Sequence, residues 1–314
     1  MTSLVLLRRQ PWLITIFVLL VLIVVNTVLQ PSFIQPSVLQ SNLTTFLPLI
    51  LVAIGQTYVI LAGDIDLSVG SIVALANVVT VTIIDMLGGS VASLFLGMGA
   101  GVLVGAICGL VNGIFISGLR FQPIVTTFAT GIIFAGIAIW VMPQAGLPVP
   151  EAYWQTYSES ILGVPFVAWV LVAGIIFTLV VARIPFHSHL LAVGGNRTGA
   201  FQTGLRLGGI RIGSYIISGL FSALAALCLT GETASGDPLL GASLALSSIS
   251  AVVLGGTALS GGFGSSTGSI VGALVLGMIG NVIFFAGLPF EYQTLVHGLI
   301  VLTALAGGVF VTRR

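Results

Sequence analysis

The sequence contains no lysine, so all nine of its basic residues are arginine. A phosphate-binding P-loop requires the lysine of the pattern G-x-x-x-x-G-K-[ST], and this chain therefore cannot form a standard nucleotide-hydrolysing site. The same absence excludes a Schiff-base lysine. We predict a chain that is not an enzyme, carries no cofactor and cannot supply its own energy.

Charged residues are also scarce: 5% of the 314 residues are charged and 57% are apolar, whereas a soluble domain has about 25% charged residues. Apolar runs recur along the whole sequence, which predicts a single polytopic transmembrane domain over residues 1–314, embedded in a lipid bilayer. No nucleic acid partner is expected. Cys108 and Cys228 lie inside apolar runs without redox or metal-ligand spacing, so no metal site is predicted.

The apolar runs are long enough to be membrane spans, since a helix needs about 20 mainly apolar residues to cross roughly 30 Å of hydrocarbon. Ten segments qualify: 12–29, 43–62, 67–85, 90–118, 123–142, 163–183, 211–231, 241–260, 265–286 and 293–311. The eighth, rich in serine and glycine, is the weakest. With a cytoplasmic N-terminus, all nine arginines fall on the cytoplasmic side, as the positive-inside rule requires. The sequence therefore predicts an all-α integral membrane fold of about ten helices, with both termini cytoplasmic.

Glycine is abundant, with 41 residues, and its spacing predicts close helix packing. Within the fourth span, glycine recurs at every fourth position, at Gly97, Gly101, Gly105 and Gly109. Small residues at this spacing share one helix face and let a neighbouring backbone approach closely. This face is expected to be structural.

The sequence also contains an internal repeat. A shift of 198 positions aligns Leu61–Ala74 with Leu259–Gly272, and seven of the fourteen positions are identical. We predict repeat cores at about 53–86 and 251–284 that run in the same direction, as in transporters whose sites form between two halves.

Each repeat contains a glycine-rich helix break, GDID at 63–66 and GGFG at 261–264. Glycine lets the chain leave a helix, and a gap of about four residues places this backbone at or below the membrane surface. One interpretation of Asp64 and Asp66 is that they cap the following helix. The second copy turns without any carboxylate, however, which favours a functional role for acids near hydrocarbon. Both interpretations stay open.

Further polar residues lie within the predicted spans. Each one individually fits helix-to-helix hydrogen bonding, and together they fit the lining of a neutral passage. The candidate translocation pathway comprises Asp64, Asp66, Ser68, Gln56, Asn77, Asn112, Thr126, Thr127 and Asn281.

Three segments of this sequence match a known pattern when taken together. They are AGDIDLSVGSIVALA at 62–76, AVGGNRTGAFQTGLRLGG at 192–209 and AVVLGGTALSGG at 251–262. The chain resembles the ribose/xylose/arabinose/galactose branch of ABC importer permeases, a branched-chain-like family that depends on binding proteins. The resemblance covers nearly the whole chain in span order. It implies the ABC importer permease fold, in a bacterial inner membrane, and import of a monosaccharide or a similar small polar solute.

The resemblance also implies partners. A periplasmic sugar-binding protein would deliver the solute, a separate cytoplasmic ABC ATPase subunit would bind ATP, and a second permease would complete a dimer. The connection at about 185–209 would carry the coupling helix that is seated on the ATPase. The residues that this assigns to coupling are Gly194, Gly195, Asn196, Arg197, Ala200, Gly204 and Arg206.

The sequence departs from the family pattern at 198–200, where Thr-Gly-Ala replaces the common Glu-Ala-Ala, and at 63–66, where Gly-Asp-Ile-Asp replaces Gly-Gly-Ile-Asp. The altered coupling segment leaves both a homodimer and a heterodimer with a paralogous permease open. An alternative function is a secondary transporter that couples solute to ions through Asp64 and Asp66. Dependence on ATP and on a binding protein would distinguish the two.

Overall fold

The computed structural model describes residues 12–289, 291–296, 298–300 and 302, which are mainly helical. The helices are α1 (Trp12–Leu29), α2 (Pro36–Leu61), α3 (Val69–Met86), α4 (Val91–Gly113), α5 (Pro123–Val141), α6 (Glu151–Ser158), α7 (Phe166–Val181), α8 (Pro185–Gly195), α9 (Arg197–Gln202), α10 (Leu207–Thr233), α11 (Leu244–Leu254) and α12 (Ser266–Phe285). A π-helical turn, Ile114–Gly118, extends α4. Two-residue strands form two antiparallel pairs, β1 (Leu147–Pro148) with β4 (Ser235–Gly236) and β2 (Ser160–Ile161) with β3 (Val164–Pro165).

Six of the described helices are long and apolar enough to cross a membrane, namely α2, α3, α4 with its π-turn, α5, α10 and α12. The pair α7 and α8, bent by 73°, would add a seventh. The predicted count of ten is therefore not confirmed. The tenth predicted span, 293–311, and the arginines at 8, 9, 313 and 314 lie largely outside the described residues.

The eighth predicted span differs most from its expectation, because only the 11 residues of α11 are helical there. At 1.5 Å per residue this helix is about 16 Å long, too short to cross the hydrocarbon on its own. Before it, the chain turns at Gly241, whose φ is +90° and whose carbonyl is so close to Gly70 of α3 that a Cβ there would overlap it. Glycine at both positions allows this contact, which replaces the first part of the predicted helix.

Charged residues are segregated between the two ends of the helix bundle. Successive spanning helices run in alternate directions, so the connections after α4 and α7 lie at the end where α3 and α10 begin. The described arginines lie at this end, which we call the arginine end: Arg120, Arg183, Arg197, Arg206 and Arg211. Five acidic residues lie at the opposite, acidic end: Asp85, Glu151, Glu159, Glu232 and Asp237. The predicted segregation holds for these residues, and the side of the membrane that each end faces stays a prediction.

The small-residue face of α4 is confirmed. A Cβ added at Gly105 or Gly109 would overlap backbone oxygens of α10, while Gly97 and Gly101 pack in the same way against α3. Helix α4 is therefore held tightly between α3 and α10. Helix α2 forms the centre of the core, and nearly all its residues from Phe46 to Leu61 are buried.

The two predicted repeat copies have the same local structure, a helix, a break and a second helix. Gly63 and Gly261 occupy equivalent positions in the breaks, and both have left-handed φ values, +78° and +83°. Helices α3 and α12, which follow the breaks, both begin at the arginine end. A common origin of the two copies stays a prediction.

Candidate coupling and translocation site

The two helix breaks meet at the arginine end of the bundle. We call residues 62–68 the first break and residues 255–265 the second break. The amide of Gly262 donates a hydrogen bond to the carbonyl of Leu61, at 3.0 Å. A Cβ added at Gly261 would lie 2.6 Å from the Cα of Gly63, so any side chain there would push the breaks apart. Glycine is thus required both for the positive φ and for the close approach.

The connection 185–209, which we call the coupling loop, packs against this junction. Its helix α8 ends at Gly194 and Gly195, and a Cβ at Gly194 would overlap the carbonyl oxygen of Leu61 and lie 2.5 Å from the amide nitrogen of Gly262. The Asn196 side chain then caps α9 by accepting a hydrogen bond from the amide of Gly199, at 2.9 Å. Three glycine-containing segments therefore meet backbone to backbone.

An ion pair connects the same three parts of the chain. The Asp64 carboxylate in the first break is buried, with 0% of its side chain exposed. It accepts a 2.6 Å hydrogen bond from Arg197 of the coupling loop, and two from Arg211 of α10, at 2.8 and 3.0 Å. Arg197 also donates to the carbonyls of Ala62 and Gly63, at 3.3 and 3.2 Å. Two guanidinium groups thus neutralise one buried carboxylate, which satisfies the requirement that a buried charge be paired. We call Asp64, Arg197 and Arg211 the arginine clamp.

Asp66 lies in a separate network of neutral partners. Its Oδ1 accepts hydrogen bonds from the amide and hydroxyl of Ser68, at 2.9 and 2.6 Å, and its Oδ2 accepts one from Ser218 of α10, at 3.2 Å. Asn112 of α4 donates to the Ser68 hydroxyl, at 2.8 Å, and accepts from Thr130 of α5, at 2.6 Å. Burial raises the pKa of the Asp66 carboxyl, although its hydrogen bonds act in the opposite direction.

This network joins the first break to three surrounding helices, α4, α5 and α10. Thr127 of α5 adds to it by accepting a hydrogen bond from the amide of Leu67, at 3.0 Å. The bond from the Ser68 amide to Asp66 forms a local turn just before α3, whose N-cap residue Ser68 makes no side-chain cap hydrogen bond. The predicted capping role is therefore not seen at Asp66, whose network reaches α4, α5 and α10 instead. The break is therefore fixed to the surrounding helices by side-chain hydrogen bonds. The partners are far apart in the sequence, so these pairs could not be predicted from it.

The remaining residues predicted to line a pathway are distributed elsewhere. Asn77 bonds Thr230 at 2.7 Å and the amide of Asp237 at 2.8 Å, while Asn281 bonds Asn42 at 3.0 Å. Thr126 donates to a carbonyl of its own helix, that of Gln122, at 2.8 Å. Gln56 is fully buried in α2, and neither polar atom of its side chain has a hydrogen-bond partner among the described residues. Four of the nine predicted pathway residues therefore share the network around the first break, and the other five lie outside that network. Their assignment to a pathway stays a prediction.

The residues assigned to ATPase coupling divide into two groups. Gly194 and Ala200 are covered by the chain itself, and Ala200 is only 6% exposed. Those at the surface are Gly195, Asn196, Arg197, Gly204 and Arg206. Phe201 of α9, which the sequence analysis did not single out, lies at the same surface and is 69% exposed. Its signal in the sequence is a single aromatic residue within the six residues of α9, RTGAFQ.

Comparison with known proteins identifies the relatives of this chain. Residues 38–305 match the family described as branched-chain amino acid transport system / permease component. The ribose import permease protein RbsC of Bacillus subtilis is 34% identical over 291 residues, which cover 91% of this chain and 89% of that protein. The L-arabinose ABC transporter permease protein AraH of Azospirillum brasilense is 32% identical, covering 92% of this chain and 85% of that protein. The AraH protein of Escherichia coli K12 is 33% identical, covering 81% and 77%. No solved structure matches the chain.

The match spans the helices that carry both breaks, the coupling loop and the polar networks around them. The junction described above therefore lies within the part of the chain that matches the family. On this basis, the chain is a transmembrane permease component and belongs to the branched-chain amino acid transport system permease family.

Proposed function

We propose that this chain is the membrane permease subunit of an ABC importer for a monosaccharide of the ribose or arabinose class. The observation that carries the proposal is the similarity to the ribose and arabinose permeases along more than four fifths of this chain. The chain would form the route by which the sugar crosses the inner membrane.

The importer needs a separate source of energy. A thousandfold accumulation of sugar costs about 4 kcal/mol, and a chain without lysine has no P-loop with which to hydrolyse ATP. We propose that a cytoplasmic ABC ATPase binds the coupling loop at the arginine end, and that a periplasmic binding protein delivers the sugar at the acidic end. A second permease copy or a paralogue would complete the transporter. Both termini would then be cytoplasmic.

The comparisons give no support to an ion-coupled secondary transporter. The structure offers a physical reason as well, because Asp64 is held by two arginines and has no need of a transported cation for neutralisation. The two fixed positive charges next to this carboxylate also repel a transported cation such as a proton or a sodium ion. Asp64 is therefore a poor carrier of protons or sodium ions.

Crosslinking tests whether the coupling loop binds the ATPase. Cysteine at Thr198, exposed in α9, is expected to crosslink to the ATPase encoded beside this gene, whereas cysteine at Glu159 of the acidic end is the matched negative control. Ligand screening on the neighbouring binding protein is expected to select a pentose or hexose. An assembled complex without a crosslink at Thr198, or a binding protein that selects amino acids, would contradict the proposal.

A further inference from the structure

The arginine clamp connects the coupling loop to the membrane helices through one carboxylate. Arg197 approaches Asp64 from the loop and Arg211 approaches it from α10. Arg197 also reaches the carbonyls of Ala62 and Gly63, so its guanidinium holds both the side chain and the backbone of the first break.

The second break is attached through its backbone to the same junction between the coupling loop and the first break. Gly262 donates to Leu61, and Gly194 of the coupling loop fills the space between the two breaks so completely that no Cβ fits there. The coupling loop and the two breaks meet through glycines, so their backbones are in direct contact. This close packing leaves little freedom for one segment to slide past another. Packed interfaces of this kind shift between discrete arrangements and do not deform continuously.

We propose that the arginine clamp makes the coupling loop and both helix breaks move as one body. This inference rests on the proposed function, in which the ATPase moves the coupling loop. Asp64 is then a positioning residue, not a ligand for the transported sugar, and Arg197 transmits the motion of the loop to the breaks. The breaks lie where α2 joins α3 and where α11 joins α12, so one movement reaches both repeat copies together.

The two arginines have different roles in this arrangement. Arg211, with 13% of its side chain exposed, neutralises Asp64 inside the bundle, whereas Arg197 is 45% exposed and bridges to the loop. Replacing Arg197 by glutamine leaves Asp64 paired with Arg211, so the fold should persist. The link to the loop should be lost while the buried charge remains neutralised.

Spin labels measure whether the loop and a break move together. Labels on cysteines at Thr198 in α9 and Phe263 in the second break mark the coupling loop and the break separately, and both residues are exposed. For the full chain in lipid nanodiscs, we expect one narrow distance distribution in the otherwise unchanged protein. Arg197→Gln is expected to broaden it, whereas Arg183→Gln, an exposed arginine of the arginine end that lies outside the coupling loop, should leave it unchanged.

The assembled complex provides a functional measurement. Arg197→Gln is expected to retain ATPase binding and ATP hydrolysis, while the sugar transported per ATP falls about tenfold or more, a typical size for coupling between sites. Arg183→Gln should keep the wild-type ratio.

Three results would overturn the inference: an unchanged distance distribution in Arg197→Gln, an unchanged transport ratio, or loss of ATPase binding by that variant alone. The last would place Arg197 in the docking surface and not in a clamp. Failure of the unchanged chain to bind any ATPase would instead contradict the proposed function, and the distance measurement on the chain alone would still test the clamp.

Discussion

At the scale of single residues, Arg211 controls the stability of the arginine end. Its replacement by glutamine leaves the buried Asp64 carboxylate with only the half-exposed Arg197 as a partner. Removing one partner of a buried ion pair costs about 3–5 kcal/mol. We expect the thermal unfolding midpoint of Arg211→Gln in detergent to fall well below that of Arg197→Gln.

A second substitution tests whether the weaker neutralisation of the Asp64 carboxylate causes this loss. In the double variant Asp64→Asn with Arg211→Gln, the Asp64 carboxylate no longer needs a partner, and part of the lost stability should return. A double variant less stable than Arg211→Gln alone would contradict the pairing described here.

The sequence identified Asp64 and Asp66 as unusual, because the second repeat copy turns without acids. It could not identify their partners. Arg211 is 147 positions from Asp64 and Ser218 is 152 positions from Asp66, so both pairings arise only when α10 packs against the first break. Arg197 was assigned to the ATPase surface for the same reason: its contact with Asp64, 133 positions away, leaves no local signal.

At the scale of elements, the contact between α8 and the two breaks depends on glycine at position 194. In Gly194→Ala, the new methyl group would overlap the carbonyl oxygen of Leu61, whose backbone is fixed within the core. We expect loss of transport together with reduced yield of folded protein. Gly209→Ala in α10 is the matched control, because a Cβ there meets open space and alanine is the better helix former. Equal behaviour of the two variants, measured by size-exclusion profile and uptake, would argue against a close-packed junction.

Phe201 of helix α9 is exposed. With only six residues, α9 is too short to be stable in isolation. Exposed aromatic residues often supply a large share of interface binding energy. We expect Phe201→Ala to weaken ATPase binding about tenfold, or 1.4 kcal/mol, as measured by titration of the ATPase onto nanodiscs. The neighbouring Gln202→Ala should have a much smaller effect. If Phe201→Ala binds the ATPase as tightly as the unchanged chain, the docking surface lies elsewhere on the loop.

Element positions were largely predictable from apolar runs, whereas the eighth span was not. Its residues are apolar enough for a helix, but the contact between Gly241 and Gly70 of α3 delays the start of the helix, and the second break at Gly255 and Gly256 ends it early. The sequence shows that position 241 is a glycine, but it does not show which part of the chain packs against that glycine. The glycine spacing of α4 was predictive because small residues at every fourth position have one simple use, close packing against another helix.

At the scale of the whole molecule, the segregation of charge predicts its orientation in the membrane. Cysteine introduced at Arg206 should react with a membrane-impermeant maleimide only from the cytoplasmic side, and cysteine at Glu159 only from the periplasmic side. Both native cysteines are buried, so background labelling should be low. Labelling of both positions from the same side would contradict the alternation of the helices described above.

The central claim is that this chain conducts a sugar but cannot drive its transport. The most direct measurement is uptake of labelled ribose and arabinose into proteoliposomes that contain the chain alone, the chain with its ATPase, or both with the binding protein. Accumulation against a gradient is expected only in the complete system and only with ATP. Accumulation by the chain alone, driven by a proton or sodium gradient, would contradict the claim.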